Sequence, residues 1–421
     1  MAMKKLMWMG CLSYLVIGIA HVVGGAVLEQ LIDYYGLTYK DGGQWIMNQF
    51  LGFLAGVLLA PTLTARVGKR GAVLLAMGAL TIAEAAYSLL LPWGWMLAFA
   101  PIAGIGFGMT EAIVGAAVID LMKGKASAMS RLETFFGIGA LIIPITAAYL
   151  IQQQVWQLSF PILAAMAGIT FVLWLTMSFG SLDDSLGPKR VEAGEQRRDN
   201  ADGHSGKRTA SSAGAGRGWL GYPAKSLPFL FLSALFFLIY VGVEMSFSNY
   251  LPSMLIERTG MKESSAAAAL SLFWGTMVFG RLFAGVLADR MGHASYLAVF
   301  SAGAACAFVG MAATASEGWM LVLVAFSGLF FSGLFGIALV YANGLLPGMT
   351  ERTTSLLVAL GGVGGAILPR LTGWFMDNYP VRTTMWSIAS TVVILLLVLI
   401  AWLGFGKKQQ QLIGDKKAAP S

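Results

Sequence analysis

Residues 104–115 read Gly104-Ile-Gly-Phe-Gly-Met-Thr-Glu111-Ala-Ile-Val-Gly115 and lie inside an apolar run from about 95 to 119. At the helical period, Gly104, Gly108, Glu111 and Gly115 fall on one face. Small residues let a second helix approach closely where no water is present. A carboxyl at the mid-depth of a bilayer costs about 2.5–3.5 kcal/mol on insertion scales, so it is a functional candidate by default. A structural role, hydrogen-bonded to a neighbouring helix, is the alternative for Glu111. Its central, glycine-lined position favours function.

The rest of the chain fits a membrane setting. Of 421 residues, 57% are hydrophobic and 12% charged, and the mean hydropathy is +0.72. That balance is foreign to soluble domains, and the apolar runs can cross a bilayer many times. Cys11 and Cys306 both sit in apolar runs, which argues against a disulfide framework. Three histidines without a Cys/His cluster give no metal site. The net charge of +7 comes from cations at the ends of the spans and does not call for nucleic acid. Met1 to Lys5 and the apolar run behind them have the outline of a signal peptide. That run reaches about Tyr34, no small-residue cleavage site stands out, and more spans follow, so a retained first helix is expected.

Hydropathy predicts twelve spans, at about 7–34, 43–65, 71–91, 95–121, 127–151, 156–179, 227–257, 264–288, 295–314, 318–346, 353–376 and 383–404. With the N-terminus inside, the inner segments carry Lys4, Lys5, Arg66, Lys69, Arg70, Lys123, Lys125, Arg131, Arg290 and Arg352. The outer loops hold only Lys40, Arg258, Lys262 and Arg382, so both termini are expected in the cytoplasm. Residues 181–222 are polar, charged and aperiodic, which predicts a disordered cytoplasmic linker. The tail from 406 to 421 has the same character. The linker divides an N-terminal bundle, 1–180, from a C-terminal bundle, 223–405.

The bundles repeat. At an offset of 224 residues Gly18 meets Gly242, Gly36 meets Gly260, Arg66 and Gly68 meet Arg290 and Gly292, and Gly94-Trp95 meets Gly318-Trp319. One residue further on, Gly139 through Pro144 matches Gly364 through Pro369. A near-constant offset over five helices indicates a parallel repeat. Six plus six spans around a linker is a transporter plan, with substrate held between the halves.

Gly285-Val-Leu-Ala-Asp289-Arg290-Met-Gly292 resembles the signature loop of the major facilitator superfamily. Its first-half copy, Pro61 to Arg70, keeps Arg66 and Gly68 but lacks the Gly and the Asp. Gly108-Met-Thr-Glu111, Ser130-Arg-Leu-Glu133-Thr-Phe-Phe-Gly-Ile-Gly139 and Tyr240-Val-Gly-Val-Glu244 through Pro252 narrow the likeness to the fucose/glucose–proton symporter family. Within it the nearest resemblance is to bacterial glucose/mannose:proton symporters. Asn48-Gln49-Phe50 and Phe273-Trp274 add to it, and the likeness covers both halves but not the linker or tail. The resemblance implies the twelve-helix all-α fold and proton-coupled sugar uptake, with the fourth-helix Glu111 in proton coupling. Those symporters also use a first-helix aspartate, where this chain has Gly24 or Gly25, with His21 and Glu29 a turn to either side.

The candidate site follows. Glu111, Glu244 and His21 are expected in proton coupling, since burial disfavours the charged carboxyl and histidine titrates near neutrality. Packing is an equal reading for His21, and a bond to His21 is the bland reading for Glu244. Asn48, Gln49, Glu133, Asn249 and Trp274 are the substrate candidates, supplying amides, a carboxyl and an aromatic face for a hexose. For Glu133 an inner ion pair, and for Trp274 packing, stand as alternatives. Asp289, Arg290 and Arg66 are expected to latch the cytoplasmic side. Glu84 reads as a packing or snorkelling acid, Arg281 and Arg370 as helix-end or interhelical partners, and Trp45, Trp93 and Trp319 as interfacial anchors. Gly361 to Gly365 lacks the Lys-Ser/Thr of a phosphate loop and reads as close helix packing. No nucleophile–base set appears, and no cofactor is expected beyond the proton. The expected partners are a hexose and the plasma-membrane bilayer around a monomer. A proton-driven exporter of drugs or metabolites, or a transport-dead sugar sensor, are the rival readings.

Overall fold

The computed structural model describes residues 2–121, 126–187, 222–346 and 349–418. Lys123, Lys125 and residues 188–221 of the expected linker lie outside the described residues. Among the described residues the secondary structure is helical throughout: α1 Ala2–Ala26, α2 Leu28–Tyr35, α3 Tyr39–Ser88, α4 Trp93–Leu121, α5 Ala126–Gln152, α6 Ser159–Thr176, a single turn α7 Asp183–Leu186, α8 Leu227–Thr259, α9 Glu263–Met291, α10 His293–Ala313, α11 Glu317–Phe331, α12 Leu334–Gly344, α13 Thr350–Asn378 and α14 Val381–Ala418.

Among the described residues, eleven helical stretches are long and apolar enough to cross a membrane. One of them, α3, has 50 residues and is interrupted at Gly68, where φ is 79° and ψ 165°. At a rise of 1.5 Å per residue it would measure about 75 Å unbroken, against a hydrocarbon core of about 30 Å. It is therefore two spans, and the total among the described residues is twelve.

The repeat seen in the sequence is realised in the backbone. Gly36 and Gly260 both have positive φ, 63° and 70°, and cap α2 and α8. Gly68 and Gly292 also share positive φ, 79° and 84°, at the turns between the second and third and between the eighth and ninth spans. Only glycine takes that conformation without strain. Packing repeats as well. Gly18 and Gly139 set α1 and α5 backbone to backbone, and Gly242 and Gly364 do the same for α8 and α13. Each half thus has a glycine seam at which two helices approach to the distance of backbone carbonyls.

Within the first half α1 packs on α5 and α6, and α3 on α4 and α6; within the second α8 packs on α13 and α14, and α9 and α10 on α11. The halves meet along α3–α13, α5–α9 and α1–α8. The end of the molecule that carries the α2–α3 and α8–α9 turns is called distal here, and the end that carries the N-terminus proximal.

Two segments are more ordered than their composition suggests. Residues 181–187 contain the turn α7, held by Arg70. Arg70 donates to the carbonyls of Trp174, Leu175 and Met177 at the C-terminus of α6, and its Nη1 lies 3.3 Å from Asp183 Oδ1. A cation at a helix C-terminus satisfies orphan carbonyls and opposes the dipole. The tail also differs, because α14 runs on to Ala418. Gln409 fixes it by donating to Ser226 Oγ at 2.8 Å and to the Leu345 carbonyl at 3.3 Å. Trp45 is not an interfacial anchor: it is fully buried and donates its indole N–H to Tyr87 at 3.0 Å. Trp319, 65% exposed, does sit on the surface.

Candidate functional site

The glycine face of residues 104–115 is a packing seam. Gly104 and Gly108 lie against the α3 backbone at Gln49 and Phe53, and Gly115 lies against the hydroxyl of Tyr14. Glu111 stands at the edge of that seam. Tyr14 donates to its backbone carbonyl at 2.9 Å, which ties α4 to α1, and its carboxyl is half-buried.

Around Glu111 the two halves bring together ionisable groups from four spans. Glu133 comes from α5, Glu244 from α8 and Arg281 from α9. Arg281 Nη2 lies 3.8 Å from Glu244 Oε1 and within electrostatic range of Glu111 and Glu133. Glu111 and Glu133 also feel each other. Three carboxyls thus share one guanidinium in a medium of low dielectric. One full positive charge can match one of them, so each of the others needs a proton or a hydrogen-bond donor. Arg281 is 25% exposed at its side chain and Glu244 only 8%, so the carboxylate is the more deeply buried partner of the pair.

Arg281 is the residue that sequence reasoning underrated. It does act as an interhelical partner, but of the central acids. A lone arginine within an apolar span, on the helix that also carries Trp274, was the signal available for it.

His21 does not bind Glu244. Its Nδ1 meets the Ile17 carbonyl at 3.0 Å, and its ring sits among Phe50, Phe53, Phe107 and Phe136, with centroids 4.3–5.9 Å away. Glu244 is instead bonded by Tyr240, whose hydroxyl lies 3.3 Å from Oε1.

The amides are engaged locally. Asn48 accepts from Gln44 at 2.7 Å and donates to the Leu97 carbonyl at 3.2 Å, bridging α3 to α4. Asn249 is buried and donates to the Met245 carbonyl at 2.8 Å. Gln49 is buried beside Tyr87. Trp274 is 1% exposed, donates to Ser248 Oγ at 3.0 Å and meets Phe136 of the other half edge-on.

The glycines that replace the expected first-helix acid have a steric use. A Cβ on Gly25 would lie 2.6 Å from Asn249 Cα, and one on Gly24 would lie 2.7 Å from the Trp45 ring. An aspartate side chain does not fit at Gly25 while α1 and α8 are this close, nor at Gly24 while the Trp45 ring of α3 holds its place. Glu84 is fully buried in the first half, and its Oε2 lacks a hydrogen-bond partner among the described residues.

The distal end is closed across the halves. Asp377 at the end of α13 accepts from the backbone N–H groups of Tyr39 and Lys40, both at 2.8 Å, and so caps the first turn of α3 in trans. Tyr250 donates to the Tyr39 carbonyl at 2.8 Å, and Gln30 to Glu263 at 2.7 Å. The cross-half contacts described continue to mid-span at Phe53–Gly362 and Gly137–Val278. At the proximal end Asp289 is 80% exposed at its side chain and pairs with its own neighbour His293 at 3.8 Å, while Arg66 and Arg290 are exposed. The groups expected to latch that end stand apart.

Two pseudo-repeated halves of six spans, meeting at a buried cluster of acids and one arginine, define a multi-pass membrane protein of the two-bundle carrier class. The chain belongs to the Major Facilitator Superfamily, whose family model matches residues 6–317. That membership sets it among membrane transporters and apart from enzymes. It is 28% identical over 392 residues to the glucose/mannose transporter GlcP of Bacillus subtilis (strain 168), with 92% of each chain covered. Among solved structures it resembles the xylose transporter XylE from E. coli in an inward open conformation, with TM-score 0.72, 13% identity, and 95% of this chain and 96% of that one covered. The nucleoside transporter NupG gives TM-score 0.71 at 11% identity, over 96% of this chain and all of that one. These likenesses to solved structures establish the fold.

Proposed function

We propose that the protein is a secondary active transporter that carries a glucose- or mannose-like hexose into the cell together with protons, by alternating access. The observation that carries this reading is the cluster of Glu111, Glu133 and Glu244 around Arg281, set between two halves that are shut at one end. A carboxyl there can hold a proton in one state and release it in another. A ligand or proton drives such a change only through its different affinity for the two states. Each charge moved inward down the membrane potential supplies about 2.3 kcal/mol per 100 mV.

Glu111, Glu133 and Arg281 are half-buried and can meet sugar hydroxyls. Asn249 and Trp274 sit at the junction of α1, α8 and α9 and become available as the halves part; Gln49 and Asn48 hold the facing wall. His21, caged by phenylalanines, shapes that wall and is a lesser proton group. On this reading Asp289, Arg290 and Arg66 engage when the proximal side closes, the protein works as a monomer in the cell membrane, and both termini lie in the cytoplasm. The sugar assignment is supported by the relative whose name is a glucose/mannose transporter.

The test is uptake of labelled hexoses into proteoliposomes under an imposed pH gradient. Glucose or mannose is expected to accumulate uphill. Glu111→Gln is expected to abolish accumulation, by more than about tenfold, while counterflow of preloaded sugar persists. Wild-type accumulation in Glu111→Gln, or no hexose uptake by the parent protein, sinks the reading.

A further inference from the structure

The tenth span is broken. α11 ends at Phe331; Ser332 is extended with φ −60° and ψ 131°, Gly333 is left-handed with φ 71° and ψ −9°, and α12 begins at Leu334. Irregular backbone at membrane depth is tolerated where the protein itself satisfies the freed groups. Here two tyrosines do so. Tyr296 of α10 donates to the Ser332 carbonyl at 2.8 Å, and Tyr240 of α8 donates to the Phe331 carbonyl at 3.1 Å.

Tyr240 differs from Tyr296 in one respect. Its hydroxyl is also 3.3 Å from Glu244 Oε1, so a single O–H proton faces two acceptors. Its ring is fixed by stacking on Phe236 and Phe331, which leaves the hydroxyl proton as the movable part. An ionised carboxylate is the stronger acceptor and draws that proton to Glu244. A protonated Glu244 can instead donate to the tyrosine oxygen, and the Tyr240 proton is then free for the Phe331 carbonyl. We infer that Tyr240 is a switch between the proton on Glu244 and the break between α11 and α12: a neutral Glu244 secures the break, and an ionised one leaves the Phe331 carbonyl short of its donor.

The inference rests on proton-coupled transport and says where the proton acts on the fold. The groups that face Glu244 are Tyr240 on its own helix, Arg281 on α9 and Glu133 on α5. Tyr296 of α10 stands on the far side of Tyr240, and α11 and α12 offer backbone carbonyls. Gly333 gives the hinge its freedom, since the left-handed conformation disfavours any side chain, and Gly280 of α9 lies against Ser332.

The experiment places nitroxide labels at Val322→Cys on α11 and Val340→Cys on α12, which are 43% and 52% exposed, with Cys11 and Cys306 replaced by serine. Pulsed EPR distances are measured in nanodiscs across a pH series. In the parent the distance is expected to move between two limits with pH. Glu244→Gln is expected to hold the neutral limit at every pH, and Tyr240→Phe, which keeps the ring stack, to abolish the response. In proteoliposomes Tyr240→Phe is expected to lower gradient-driven accumulation about tenfold while sparing counterflow. A parent distance indifferent to pH, or a full response in Tyr240→Phe, overturns the switch. If the labels behave as expected but the parent carries no hexose, the switch stands and the sugar assignment falls.

Discussion

At the distal end the two halves hold each other, whereas at the proximal end the bonds described stay within one half. Asp377, Tyr250 and Gln30 each reach across to the opposite bundle or its partner turn. Arg70 grips α6 and α7 of its own bundle, Asp289 pairs with His293 on the adjoining turn, and Gln409 anchors α14 to its own half. The difference separates the contacts that assemble a bundle from those that bind one bundle to the other. The intra-half contacts are expected to survive a change of state, and the cross-half ones to break.

The strongest way to break the comparison is at Gly25. Gly25→Asp adds a side chain where even a Cβ overlaps the α8 backbone. Overpacking costs about 1–3 kcal/mol, or about 5- to 150-fold in the closed-to-open ratio. A single cysteine at Gln30→Cys, a buried position at the distal end, is expected to react with an impermeant maleimide faster by that factor in Gly25→Asp than in the parent. Equal rates would mean that α1 and α8 need not touch for closure. A smaller effect is expected from Asp377→Ala, which removes a trans cap from α3. The exposed geometry limits it to about 1 kcal/mol, about fivefold in the same labelling rate, with thermal stability unchanged.

The smallest effect belongs to the proximal end. The Ser178 hydroxyl, then the Phe179 N–H and Arg70, hold the Asp183 carboxyl below its ordinary value of 3.8. Its contribution is therefore complete above that value and is lost as the pH falls through the lower folded-state one. Asp183→Asn is expected to lower the melting temperature slightly and equally from pH 5 to pH 8, with the gap to the parent closing in stronger acid, and to leave the distal labelling rate untouched. A change in that rate would mean that the two ends are coupled through α7.

Much of this was legible beforehand because glycine announces backbone demands. The pairs Gly36/Gly260 and Gly68/Gly292 could be aligned by spacing, and they turn out to share positive φ because each ends a span at the same point of the repeat. The turn between the second and third spans was legible as well, because the gap between the two apolar runs holds Gly68, where the helix breaks. Glu111, Glu133 and Glu244 stood out as acids in apolar runs, and they converge. Arg281 could be read as a helix-end or interhelical partner, but its acids could not be named until the facing helices were known. What residue type could not show for Asn48 is its local bonding, since Gln44 and the Leu97 carbonyl each take one end of its amide. The break at Ser332–Gly333 has no counterpart at the equivalent place in the first half, so comparing the halves could not expose it.

The trans cap on α3 has a consequence for how the protein meets its surroundings. A carboxylate on exposed amides at a helix start is weakened by dissolved salt, and the Debye length shrinks from about 10 Å at 0.1 M to about 3 Å at 1 M. The closed distal face is therefore held in part by an attraction that brine on that side erodes. Raising the salt on that side would shift the balance between a closed and an open distal face without any other change to the molecule.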